Sequence, residues 1–214
     1  MLTRFLFCCA AAIAGDIACA EERTFNLTVD GKSAGTYVMK IEAHDDGTTT
    51  ITCKADISVK ILLVRYTYTY RGDEVWKDGK LVSLNSTCND DGKRTAVSLV
   101  AGKDGYTLKA GAKAVAVKSS VWPTSYWKLP DEKAREGSMT LVDADTGRVM
   151  QAKIEKIGVE RPAGLDKDAR ATHYRLSGGA VTDLWYDGAD RLVKQAWVED
   201  GHKTVMTLAG LKKD

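Results

Sequence analysis

Apolar and polar residues alternate along most of this chain. The longest alternation places an apolar residue at every second position, namely Ile51, Cys53, Ala55, Ile57, Val59 and Ile61. A period of two predicts a half-buried antiparallel strand, because successive side chains of a strand point to opposite faces of the sheet. Cys53 therefore falls on the face that packs into the core. Residues 24–29 and 35–42 show a similar pattern on either side of Asp30-Gly31, which predicts a hairpin.

Two stretches share one order of residue types: an acid, an aliphatic residue, Trp, any residue, Asp and Gly. They are residues 74–79 and 183–188. Asp-Gly between two alternating runs is a strong hairpin signal, because Gly adopts the positive φ that a tight turn requires. Both stretches are therefore predicted to form β-hairpins. In each of them the acid and the Trp lie two positions apart, so their side chains share one face of the sheet.

A ladder of tyrosines precedes the first of these hairpins. Tyr66, Tyr68 and Tyr70 occupy alternate positions, and polar residues lie between them. One interpretation is cross-strand packing with the hydroxyls reaching the rim of the sheet. The other is an aromatic wall against which a ligand packs.

The alternation fails over residues 119–130. This stretch contains two of the three prolines of the chain together with Trp122 and Trp127. We expect an irregular segment that covers the sheet, followed by one polar helical turn within residues 131–136.

Short strands at regular spacing, separated by Gly-rich turns, predict an all-β fold rather than alternating strands and helices. No amphipathic helix and no linker interrupts the pattern. We expect residues 21–214 to form a single domain: one curved antiparallel sheet that curls into an incomplete barrel, with the Trp/Pro-rich segment as its one irregular part.

The first 20 residues predict a signal peptide. Arg4 precedes the apolar run 5–14, and Ala18-Cys19-Ala20 is a small-x-small cleavage site. We expect cleavage near Ala20 and a periplasmic or secreted protein. Nothing after this run is long enough to span a bilayer, so no transmembrane segment is expected in the mature chain. A lipoprotein acylated at Cys19 is the alternative, although Asp16 stands where such a motif usually has an aliphatic residue.

Of the 5 cysteines, only Cys53 and Cys88 lie beyond this signal. An even pair in an oxidising compartment predicts one disulfide. The alternative is two separate buried thiols that act as small apolar side chains.

Charge and histidine content exclude several classes of function. The 31 basic and 29 acidic residues are interleaved, so no basic surface for nucleic acid is expected. His44, His173 and His202 are isolated, with no Cys or carboxylate at metal-ligand spacing. We therefore predict no metal site and no cofactor, and no Gly-x-Ser-x-Gly motif indicates a serine nucleophile.

The order of several short motifs resembles that of domain-of-unknown-function family 6134, a family of exported bacterial proteins. The motifs are residues 29–32 with Gly35, 74–81, 125–127, 143–147 and 183–187. The resemblance covers nearly the whole mature chain and implies an exported all-β protein. It implies no activity and no catalytic residues.

Three functions fit these patterns. The first is a non-enzymatic module that binds a lipid or another amphipathic small molecule on the concave face of the sheet. Its candidate residues are Tyr66, Tyr68, Tyr70, Trp76, Trp127, Trp185, Glu74 and Asp183. The second is a hydrolase of envelope or extracellular carbohydrate, in which Glu74 and Asp183 converge from adjacent hairpins. The third is a structural envelope protein, in which these acids pair with arginines and the tryptophans fill the core.

Overall fold

The computed structural model describes residues 17–61 and 64–213. Within them the chain forms 15 strands in one sheet and one short helix. The first eight strands are β1 (Ile17–Val29), β2 (Lys32–His44), β3 (Thr48–Ile61), β4 (Val64–Lys77), β5 (Lys80–Asp90), β6 (Lys93–Gly102), β7 (Gly105–Ala110) and β8 (Lys113–Val117). The others are β9 (Val121–Pro123), β10 (Met139–Val142), β11 (Val149–Glu160), β12 (Ala171–Gly178), β13 (Thr182–Tyr186), β14 (Leu192–Glu199) and β15 (His202–Lys213), with α1 (Glu132–Arg135) between β9 and β10.

Most of the predicted signal peptide lies outside the described residues. Ile17 to Ala20, its last residues, form the start of β1, where Ile17 and Cys19 are exposed. Cleavage near Ala20 therefore stays a prediction. The sequence also predicts a bend at Leu62-Leu63-Val64, of which the first two residues lie outside the described residues and Val64 begins β4.

The order of the strands across the sheet is simple. It runs from β8 down to β1, continues from β1 to β15, and then runs down to β9. Consecutive strands thus pair with each other, except that β8 and β9 lie at opposite edges of the sheet, and β1 pairs with β15 across its middle. One pair departs from the antiparallel prediction, because β9 lies parallel to β10.

The turn chemistry explains the hairpins. Asp78 and Gly79 have φ of 48° and 76°, so the first Trp hairpin closes on the expected two-residue turn. The second Trp hairpin closes differently. Gly188 is not at positive φ there, and Asp190 has a φ of 56° instead. Asp187 Oδ1 accepts hydrogen bonds from the backbone N–H groups of Ala189 and Arg191, which makes a longer turn.

The sheet is curved but open. Its edges are β8 and β9, which do not pair with each other. The curvature brings the turn after β10 against strands on the other side of the interior, where Ser86 of β5 donates to the carbonyl oxygen of Ala144 and Thr95 of β6 donates to that of Asp145. The predicted all-β fold, one sheet curling into an incomplete barrel, is therefore confirmed.

The Trp/Pro-rich segment lies inside this curved sheet. Trp122 and Tyr126 are buried and meet edge to face, with ring centroids 5.0 Å apart. Trp127 meets Trp76 of β4 in the same way at 5.8 Å. Its carbonyl oxygen accepts a hydrogen bond from Arg23 of β1, a buried guanidinium. The segment is thus held by aromatic contacts and by one buried cation.

The predicted disulfide between Cys53 and Cys88 is wrong, because both thiols are free and buried. Cys53 of β3 pairs with Gly72 of β4, whereas Cys88 of β5 pairs with Tyr70 of β4. One strand therefore separates the two cysteines. Two interstrand spacings amount to roughly 9 to 10 Å, beyond the roughly 7 Å that a disulfide can bridge between Cα atoms. The alternative, two separate buried thiols, describes the structure.

Candidate ligand-binding cavity

A cavity of about 450 Å³ lies between the concave face of the sheet and the turn after β10. Its apolar wall comes from alternate residues of β1 and β3, because the period-two pattern turns them all inward. These residues are Leu27, Val29, Ala55 and Ile57. Polar residues of the turn and of β14 line another part of the wall, so the cavity is amphipathic.

The structure places all three tyrosines of the ladder on the wall of this cavity. Two of their hydroxyls point to carboxylates. Tyr66 donates to Asp90 Oδ1 and Tyr68 donates to Asp145 Oδ2, each at 2.7 Å. These bonds hold two rings at fixed positions beside acidic groups.

Asp145 is the most perturbed acid on the wall. Burial raises the pKa of this carboxyl, the hydrogen bond from Tyr68 lowers it, and the nearby carboxylates of Asp143 and Glu199 raise it, with a net value of about 7. Asp143 and Glu199 also line the cavity. Near neutral pH this carboxyl therefore exists in both protonation states, which is common at functional sites.

Glu74 lies in the interior beside the cavity but not on its wall. It is 2% exposed, and its Oε2 accepts a hydrogen bond of 2.8 Å from the indole of Trp76. Burial raises the pKa of Glu74, the neighbouring Ser125 and Trp76 lower it, and the net value is about 7. Yet Glu74 Oε1 and Ser125 Oγ both lack a hydrogen-bond partner. Ser125, unlike Glu74, also lines the cavity.

Asp183 and Trp185 lie on the opposite, outer face of the sheet. Trp185 packs with Ala171, Val193 and Ala196 in a second small core, partly covered by Leu165. His173 stacks on the Trp185 ring, with centroids 4.4 Å apart.

The acid of this hairpin is engaged in an ion pair with Arg175 and a hydrogen bond with His173. Asp183 Oδ1 lies 2.8 Å from both His173 Nε2 and Arg175 Nε. Partial burial disfavours ionisation of Asp183, but the contacts with Arg175 and His173 outweigh it and lower the pKa. Asp183 is therefore a charged partner on the surface of the sheet.

The two signature acids do not meet. Glu74 points into the interior from β4, and Asp183 points outward from β13. The convergence of carboxylates required by the hydrolase hypothesis is absent. Within residues 17–61 and 64–213, no group of three or more potential ligands could hold a metal ion. In the same ranges, no helix has the length and apolar character needed to cross a membrane.

The model of the family Domain of unknown function (DUF6134) matches residues 25–209. The chain belongs to this family. A search of the curated proteins finds no match to the chain.

The fold of this DUF6134 chain is similar to a solved structure, the crystal structure of a beta-barrel-like protein of domain of unknown function DUF1849 from Brucella abortus. The TM-score is 0.62 at 10% sequence identity, over 91% of this chain and 98% of the other. At that identity the likeness concerns the fold alone.

Several wall residues of the DUF6134 chain were missed by sequence reasoning. Asp145 belongs to a stretch that predicts only a turn, and Trp197 and Glu199 belong to a strand end without a distinctive pattern. Ser125 was excluded as a nucleophile and not considered as a binding residue. Asp145 could have been recognised as a candidate from its place in the 143–147 motif, which is one of the motifs that carry the family resemblance.

Proposed function

We propose that this protein is a non-enzymatic binding module that holds a lipid or another amphipathic small molecule in the cavity. The observation that carries the proposal is the wall itself, in which aliphatic side chains and three tyrosines face the same space as Asp145 and Ser125. Ligand pockets are typically concave, mostly apolar and equipped with a few polar groups that orient the ligand.

The size of the cavity supports this proposal. A volume of about 450 Å³ lies in the range of roughly 300 to 1,000 Å³ that is common for small-molecule sites. The apolar part of the ligand would pack against Leu27, Ala55 and Ile57, and its polar end would face Asp145. In this proposal the protein works in the periplasm or outside the cell, as the predicted signal peptide indicates.

A variant that blocks the cavity tests the proposal. Ala180 lines the cavity and is partly buried, so Ala180→Trp places a bulky ring there. Ala189 is exposed in the turn after β13, and Ala189→Trp is the matched control. Native mass spectrometry of the protein purified from its own envelope is expected to show a bound small molecule in the parent protein and in the control, but not in Ala180→Trp. An empty parent protein, or equal retention by all three proteins, contradicts the proposal.

A further inference from the structure

We propose that the cavity selects amphiphiles with a cationic head group, such as a long-chain amine, over those with an anionic or neutral head group. This inference rests on the proposed function and names the class of ligand.

The charges on the wall favour a cation. Asp143, Asp145 and Glu199 line the cavity, and Arg148 is the one basic residue among the described wall residues. The guanidinium of Arg148 donates to the carbonyl oxygen of Gly179 at 3.2 Å, so it is engaged at the rim. An anionic head group would add negative charge next to these carboxylates, whereas an ammonium would neutralise part of it.

Aromatic rings add a second attraction for a cation. Tyr66, Tyr68 and Trp197 line the same cavity as the acids. The face of an aromatic ring attracts ammonium groups, and the attraction increases where water is excluded. The hydroxyls of Tyr66 and Tyr68 already donate to Asp90 and Asp145, so both rings lie beside carboxylates.

A buried hydroxyl provides an independent indication of a ligand. Ser125 is 6% exposed and lines the cavity beside Glu74, yet within the described part of the chain its Oγ has no well-formed hydrogen bond. A buried polar atom without a partner destabilises the fold, and a ligand that satisfies it removes that cost. The hydroxyl can accept from an ammonium and can also donate to an anion, so it indicates a polar head group, and the preference for a cation comes from the carboxylates around it. The neighbouring Glu74 Oε1 also lacks a partner and is a second acceptor close to Ser125.

A bound cation should also change the protonation of Asp145. Burial holds the pKa of this carboxyl at about 7, together with Asp143, Glu199 and Asp90. Tyr68, Tyr70 and Cys88 also face Asp145, but burial raises the pKa of all three, so they stay neutral in this range. Arg148 lines the same wall and stays charged throughout. An ammonium stabilises the ionised carboxylate, so its binding releases a proton and becomes tighter as pH rises through about 7.

Isothermal titration calorimetry with octylammonium, octanoate and octanol tests the inference, because the three probes differ only in the head group. At pH 8 we expect octylammonium to bind at least tenfold more tightly than either of the others, and this preference to weaken at pH 6. Asp145→Asn keeps an acceptor for Tyr68 but removes the charge, and it should reduce the preference severalfold. Glu199→Gln is a second variant with the same expected direction. Glu155→Gln, on an exposed site of β11, is the matched control and should leave the preference unchanged.

The outcomes separate the two proposals. Binding of octanoate or octanol as tightly as octylammonium, blocked by Ala180→Trp, overturns the cationic preference and leaves the binding function intact. A preference for octylammonium that neither Asp145→Asn nor Glu199→Gln reduces also overturns the inference. Absence of binding by all three probes overturns both the inference and the binding function.

Discussion

Glu74 and Asp183 occupy equivalent places in two similar stretches of sequence, yet their surroundings move their pKa values in opposite directions. Glu74 is buried beside Trp76, and loss of water raises its pKa to about 7. Asp183 has contacts with Arg175 and His173, which lower its pKa. Two acidic residues at equivalent positions of the two stretches therefore contribute to stability with opposite dependence on pH.

Glu74→Gln should stabilise the protein at alkaline pH. An unfolded Glu ionises near 4.5, whereas folded Glu74 keeps its proton until about pH 7. The folded state thus binds more protons in this window, and the free energy of unfolding falls as pH rises from about 4.5 to about 7. The amide avoids this loss, and it can accept from Trp76 while donating to Ser125.

Chemical denaturation at pH 5 and pH 8 measures this effect. We expect Glu74→Gln to match the parent protein at pH 5 and to exceed it by about 1 to 3 kcal/mol at pH 8. Glu155→Gln is the surface control and should show no such change with pH. A Glu74→Gln protein that is less stable than the parent at pH 8 would contradict the assignment.

Asp183→Asn should have the opposite effect. The lowered pKa means that ionised Asp183 stabilises the fold above about pH 4, and that this contribution is lost as pH falls through the folded-state pKa. At pH 7 the variant should lose about 1 kcal/mol, because the amide removes the negative charge that pairs with Arg175 and accepts from His173. Denaturation at pH 7 and pH 3 checks this, with the exposed Asp104→Asn as the control. An equal loss at both pH values would show that the charge is not responsible.

At the scale of elements, the strand pattern predicts which residues point inward but not which strands lie between them. Alternation correctly places Cys53 on the buried face, where Cys88 also lies. It could not show that β4 separates them, because pairing between strands depends on the whole sheet. The same limit applies to Glu74 and Asp183. Spacing shows that each acid shares a face of the sheet with the Trp of its own hairpin. It does not show whether that face points toward the core or toward solvent.

The arrangement of β3, β4 and β5 predicts the behaviour of both thiols. Burial raises the pKa of the Cys53 thiol well above its usual value and that of Cys88 to about 11. We expect iodoacetamide to leave both thiols unmodified in the native protein and to modify both in denaturant without reductant. Peptide mapping by mass spectrometry is the measurement. A Cys53–Cys88 cross-linked peptide would contradict the strand order.

At the scale of the molecule, the fold class follows from local signals because nearly every strand pairs with its neighbour in sequence. Asp-Gly turns such as Asp78-Gly79 reveal these hairpins directly. The cavity does not follow from such signals, since its wall combines β1, β3, β4, β14 and the turn after β10. Asp145 and Ser125 reach that wall only through the curvature of the sheet and the path of the interior segment.

The pairing of β1 with β15 brings the ends of the described chain together. Glu21 lies opposite Lys213 in the sheet. A permuted chain that joins Lys213 to Glu21 through a short Gly/Ser linker and begins at Asp104, in the exposed turn after β6, should therefore fold. Circular dichroism and thermal denaturation check this expectation. New ends between Ser125 and Tyr126, inside the core, are the control and should prevent folding. Loss of folding in both permutants would contradict the prediction.

The central position of β1 has a consequence during synthesis on the ribosome. Strands β1 to β8 can pair one after another as they emerge, but the second edge of β1 has no partner until residues 202–213 are complete. For most of translation the nascent chain thus presents a row of free backbone donors and acceptors, the kind of edge that recruits other chains. The strand that covers this edge, β15, follows all the other described strands in the sequence.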